Sequence, residues 1–150
     1  MSDVEYRRAT ADDLPAIVAM LADDVLGATR ESPDDLTPYQ HAFAAIDADP
    51  NQNLIVLKRD GVVVGTLQLT VIPGLSRKGT TRAQIEGVRV HIAERDTGLG
   101  TELFEWAIEE SRRLGAQLVQ LTSDVERPDA HRFYEKLGLR PTHVGFKLDL

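Results

Sequence analysis

The segment Arg95-Asp96-Thr97-Gly98-Leu99-Gly100-Thr101 carries the residue types that hold an anion. Two glycines let the backbone approach a ligand closely, and a helix starting here offers unpaired N–H groups and the positive end of its dipole. Arg95 adds a formal charge beside them. A dinucleotide fingerprint would need a small residue where Leu103 stands, and a P-loop would need Gly-Lys-Ser/Thr where the chain has Gly100-Thr101-Glu102. Neither fits, which disfavours a nucleotide-binding protein. A lone Gly-x-Gly is equally compatible with a plain helix start after a turn.

Just upstream, residues 83–90 break their own alternation. Ala83 and Ile85 place apolar groups on odd positions; after Glu86-Gly87 they move to Val88 and Val90. A one-residue slip of this kind is what a β-bulge produces, and glycine suits the slip. Bulges collect beside active sites because they re-aim a side chain and leave backbone groups free, here near Val88. Glu86 sits at the slip and is the candidate base, against the common alternative of a solvated strand glutamate. The histidines His41, His91, His131 and His143 are scattered without metal-ligand spacing, so no metal site is expected.

Periodicity supplies the surrounding elements. Val4–Arg8 reads as a strand, followed by a helix capped at Thr10 with Asp13 and an apolar face of Leu14, Ile17, Val18, Leu21 and Val25. Thr37-Pro38 starts a second helix with Tyr39, Ala42, Phe43 and Ile46 on one face. Residues 53–58 and 62–72 form a hairpin around Asp60-Gly61. Residues 73–81 read as loop, 82–91 as the slipped strand, and 99–114 as a long helix with Leu99, Leu103, Ala107 and Leu114 on its stripe. Residues 117–122 are a strand. Arg127-Pro128 opens a helix with Ala130, Phe133, Tyr134 and Leu137 aligned, ended by Gly138. A last strand is expected over 143–148. The expected architecture is a single α/β domain over residues 1–150, with a mixed, mostly antiparallel sheet flanked by about four helices.

Composition bounds the function. A 42% hydrophobic content supports a real core in 150 residues. The net charge of -7 argues against general nucleic-acid binding, which needs clustered cations. No apolar run approaches the ~20 residues of a membrane span, and the N-terminus lacks a basic segment followed by an apolar one. A cytoplasmic address follows by elimination. There is no cysteine, which excludes disulfides and a cysteine nucleophile.

Two motifs together carry a resemblance. Arg95-x-x-Gly98-x-Gly100, with Val88-Arg89-Val90 upstream, resembles the pyrophosphate motif of the GNAT superfamily of acyl-CoA N-acyltransferases. Ala130-His131-Arg132-Phe133-Tyr134-Glu135-Lys136-Leu137-Gly138-Leu139 is similar to the family's second signature. The resemblance runs from Val4 to Leu148, and its N-terminal third is the least specific part. It implies a GNAT-like sheet with a bulged strand at 82–91. It implies acetyl-CoA as co-substrate, with the pantetheine arm along Val88, Arg89 and Val90 and the pyrophosphate on Arg95, Asp96, Thr97, Gly98, Leu99, Gly100 and Thr101. His131 falls on the cofactor side. Arg127 stands where similar proteins often have asparagine, and two readings stay open: contact with a cofactor phosphate, or solvent.

Acyl transfer to an amine needs a proton acceptor, an oxyanion donor and a proton for the departing thiolate. The resemblance assigns these to Glu86 (directly or through water), the Val88 N–H and Tyr134. The acceptor is a small-molecule or peptide amine. Glu31, Asp34 and Asp35 would attract a cationic acceptor, whereas Arg77, Lys78 and Arg82 would attract an acidic one or the cofactor. The alternative function is a non-catalytic acyl-CoA-binding regulatory module, because a fold does not fix an activity. Dimerisation is common in similar proteins, and nothing in the sequence decides it.

Overall fold

A computed structural model describes residues 4–150. Five strands form one sheet in the order β1-β2-β3-β4-β5: Val4–Arg8, Gln52–Arg59, Val62–Ile72, Arg82–Val90 and Leu118–Gln120. The first four are antiparallel and β5 runs parallel to β4. The β2–β3 hairpin turns on Asp60 (φ 52°) and Gly61 (φ 79°), the two left-handed residues that a type I′ turn requires.

Helices cover both faces. α1 (Leu14–Ala22), the short α2 (Gly27–Arg30) and α3 (Thr37–Ala48) precede β2; α5 (Leu99–Arg113) and α6 (Pro128–Lys136) flank β5 in sequence. A single turn, α4 (Ser76–Gly79), contains left-handed Arg77 and Lys78 and replaces the expected plain loop. The main core sets Leu99, Leu103, Phe104 and Ala107 of α5 against Leu57, Leu67, Leu69 and Ile85 of the sheet. Phe133 and Tyr134 of α6 pack on the edge of this cluster. Ile17 with Ala9 and Val56 forms a second cluster, joined by half-buried Leu21 and Phe43.

The start of α1 shows how local chemistry fixes an entry angle. Asp13 Oδ2 accepts from the Thr10 N–H at 2.8 Å, and Arg7 grips both carboxylate oxygens at 2.8 and 3.0 Å. The carboxylate thus joins β1 to the first helical turns, as the Thr10–Asp13 spacing suggested.

Three further expectations fail. Val25 lies beyond α1 and is exposed, because the helix ends at Ala22. The strand expected at 117–122 pairs only over Leu118–Gln120. The strand expected at 143–148 is absent: residues 143–150 share no backbone hydrogen bond with any described strand, and all are exposed. Alternation in sequence sets side-chain direction and does not by itself provide a neighbour.

Candidate active site

The bulge is present where the alternation slips. Gln68 faces Glu86 and Thr66 faces Arg89, so two steps on β3 match three on β4. Gly87 absorbs the extra residue with φ 63°. Ala83 and Ile85 are buried before it, Glu86 is exposed at it, and Val88 and Val90 pack on the core after it. On its other side β4 is paired with β5 only through Gln84, which leaves the edge from Ile85 to Val90 without a strand beside it among the described residues.

From this strand the chain passes through a 3₁₀ turn, Ile92–Glu94, into the glycine turn. Asp96 (φ 63°) and Gly98 (φ 86°) are both left-handed, and Gly98 is the N-cap of α5. Such conformations curl successive N–H groups toward one point. A Cβ at Gly98 would meet nothing within 4 Å, and one at Gly100 would touch only Val90 Cγ2 at 3.8 Å. The turn leaves space beside both glycines, and buried Leu99 anchors it to the core. The Arg95 guanidinium turns aside, donating to the Asp23 carbonyl at 3.0 Å and pairing with its carboxylate at 3.3 Å.

Sequence reasoning missed Asp24. Its Oδ2 lies 2.7 Å from Arg127 and 3.3 Å from Arg89 Nε. Among the described residues it is the one carboxylate in ion-pair contact with either arginine. Burial alone would raise its pKa; the Gly27 N–H, Arg127 and Arg89 outweigh that and hold it below the usual range. Arg89 is pushed down by burial, with Asp24 opposing and Arg127 adding to the fall. Its Nε is buried without a well-formed hydrogen bond, while one terminal nitrogen donates to the Val88 carbonyl at 2.9 Å. Two guanidiniums therefore share one carboxylate beside the bulge. An isolated aspartate in a polar loop carries no periodic signal that could have flagged it.

Tyr134 faces the same group. Its ring lies 5.4 Å from Phe104 and 5.5 Å from Phe133, so it packs as the helical spacing suggested. Burial raises the phenol above its usual range, and Arg89 and Arg127 pull it partly back. His131 Nε2 lies 2.9 Å from the Asp124 carbonyl, within the loop that leads into α6. Of the expected site residues, Val88, Arg89, Tyr134 and Arg127 thus gather around the bulge, and Arg95 to Thr101 form the turn beyond it.

A sequence profile of the acetyltransferase (GNAT) family matches residues 15–139. The chain belongs to the GNAT family. This GNAT chain is 31% identical over 142 residues to aminoalkylphosphonate N-acetyltransferase of Salmonella typhimurium, covering 95% of this chain and 88% of that one. It is 37% identical over 90 residues to glucosamine 6-phosphate N-acetyltransferase of Trypanosoma brucei brucei, covering 60% and 59%. A solved structure described as a transcriptional regulator from Bacillus halodurans superposes with a TM-score of 0.92 at 47% identity, covering 98% and 99%. The mixed, mostly antiparallel sheet with its flanking helices is the GNAT fold. Acetyl-CoA is the family's acyl donor.

Proposed function

We propose that this chain is an N-acetyltransferase moving an acetyl group from acetyl-CoA to the primary amine of a small molecule, by direct attack in a ternary complex. The observation that carries the reading is the free edge of β4 at Gly87–Val90 running straight into the left-handed turn at Asp96 and Gly98. An extended ligand with an anionic end finds backbone partners along that whole path. Acetyl-CoA supplies the activated thioester when bound.

In this reading Val88, Arg89 and Val90 present backbone groups to the pantetheine. Gly98 to Thr101 offer N–H groups to the pyrophosphate, with Asp96 and Thr97 shaping the turn, and Arg95 exchanges Asp23 for a phosphate. Glu86 takes the amine proton through water. The Val88 N–H donates to the oxygen on which negative charge develops. Tyr134 keeps its hydroxyl proton at neutral pH, as its raised pKa supports, and gives it to the departing sulfur.

The acceptor in this reading carries a phosphonate or phosphate as well as an amine. Arg89 and Arg127 have one shared carboxylate between them, and guanidinium groups pair with tetrahedral oxyanions in two-point contacts. The Salmonella and Trypanosoma relatives, named for an aminoalkylphosphonate and a sugar phosphate, support that class. Arg127 then serves the acceptor rather than the cofactor. A regulatory acyl-CoA-binding module is the second reading, favoured by the description of the Bacillus halodurans structure. Calorimetric titration with acetyl-CoA and with an aminoalkylphosphonate tests both halves. The enzyme reading expects one site for each and coupling between them; acetyl-CoA binding alone would favour the module.

A further inference from the structure

We infer that the Asp24 carboxylate is a built-in stand-in for the acceptor's anion: it occupies the Arg89–Arg127 pair and yields that place to a phosphonate or phosphate. The inference rests on the acceptor class proposed above and adds how that site is held in shape and released.

Asp24 holds the pair without fully satisfying it. Its Oδ2 lies 2.7 Å from Arg127 but 3.3 Å from Arg89 Nε. The second contact lacks hydrogen-bond geometry, so the Arg89 Nε–H is buried and unused. Glu31 acts on Arg89 from farther away, and its carboxylate already accepts from the Tyr39 hydroxyl at 2.8 Å. One close negative charge therefore serves two guanidiniums. A buried charge left without a partner is costly, and Asp24 removes enough of that cost to keep both arginines in place. A phosphonate brings three oxygens and, doubly ionised, two charges. It can meet both guanidiniums and also reach the N–H that Asp24 leaves unused.

The connection that carries Asp24 is able to let go. It runs from the end of α1 at Ala22 to the start of α2 at Gly27, and Val25 within it is 89% exposed. The backbone is held independently of the carboxylate, because the Asp24 carbonyl accepts from the Ala28 N–H at 2.9 Å. Rotation of one side chain frees the pair and costs the bond that the Gly27 N–H donates to Oδ1. The side chains of Asp24 and Arg127 are 24% and 31% exposed, so a solute reaches them from solvent. A ligand that binds only the released form has its affinity reduced by the fraction of chains in which Asp24 is away.

Calorimetric titration of the full chain with methylphosphonate, an anion without the amine, tests this apart from acetyl transfer. Asp24→Asn keeps the shape and removes the charge. It should bind methylphosphonate about tenfold or more tighter than wild type does, as for a competent form populated at about 10% or less. Adding Arg127→Ala should abolish the gain, which separates this site from the glycine turn. Amide hydrogen exchange gives a readout in wild type that needs no substitution: methylphosphonate should speed exchange at Gly27, whose acceptor leaves. Equal or weaker binding by folded Asp24→Asn, or exchange at Gly27 that does not rise, would overturn the displacement. Arg127-dependent binding by wild type in that case would keep the acceptor reading, with Asp24 a fixed part of the site. If neither protein shows Arg127-dependent binding, the anion site itself fails and the displacement fails with it.

Discussion

Arg127, at the start of α6, reaches 2.7 Å to the carboxylate of Asp24, 103 residues earlier in the α1–α2 connection. The contact brings the second signature segment against the helix that covers the bulge, and it aligns Arg127 with Arg89 around one anion. Substituting Arg127 by alanine should raise KM for a phosphonate-bearing amine by about tenfold or more, the scale of one lost charge-assisted contact. KM for a neutral amine of the same shape and affinity for acetyl-CoA should hold. A fall in acetyl-CoA affinity instead would assign Arg127 to the cofactor.

Glu86 stands exposed at the bulge, opposite Gln68, where a proton taken from an amine can pass to solvent. Glu86→Gln keeps the shape and removes the base. A drop in kcat of about 10²-fold, the low end for general base catalysis, is expected with unchanged acetyl-CoA binding. An acid limb of kcat/KM identical to wild type would return Glu86 to the role of a solvated strand residue.

Tyr134 joins packing to chemistry, because its ring rests on Phe104 while its hydroxyl lies in the field of Arg89 and Arg127. Tyr134→Phe preserves the ring contacts, so thermal stability should change little. Turnover should fall about 10²-fold when chemistry limits the rate. The loss should shrink with an acyl donor whose thiol is more acidic, since that group leaves without help. Wild-type turnover in the variant would leave Tyr134 with packing alone.

Asp13 provides a pH signature of the fold. The Arg7 guanidinium lowers its pKa, burial opposes, and the Thr10 N–H lowers it further, so the folded value lies below the unfolded value of 3.8. A depressed carboxylate contributes stability that is present above the unfolded pKa and is lost as pH falls through the folded one. Wild type should therefore lose stability below pH 3.8. Asp13→Asn should lose about 1.5–3 kcal/mol at neutral pH, as for a hydrogen bond to a charged group. Its urea stability should also decline less steeply in that acid window. An unchanged acid slope would detach Asp13 from the effect.

The bulge was legible because a slip in apolar alternation is a direct record of side-chain direction, and Gly87 marked the position able to take a positive φ. The glycine turn was legible for the same reason at Gly98, though not the left-handed Asp96 beside it. Asp24 was not, since its partners come from β4 and α6 and only the folded chain brings them together. The tail was misread: Val144, Phe146 and Leu148 alternate as a strand would, but a strand also needs a neighbouring edge, which alternation in sequence does not provide.

The most direct test of the acetyl-transfer account is thiol release from acetyl-CoA by the full chain, with an aminoalkylphosphonate and its neutral amine counterpart as acceptors. The account predicts release that requires the amine, a matching N-acetyl product, and a kcat/KM at least tenfold higher for the phosphonate. Acetyl-CoA binding without amine-dependent release, across this pair and a broad panel of primary amines, would contradict it.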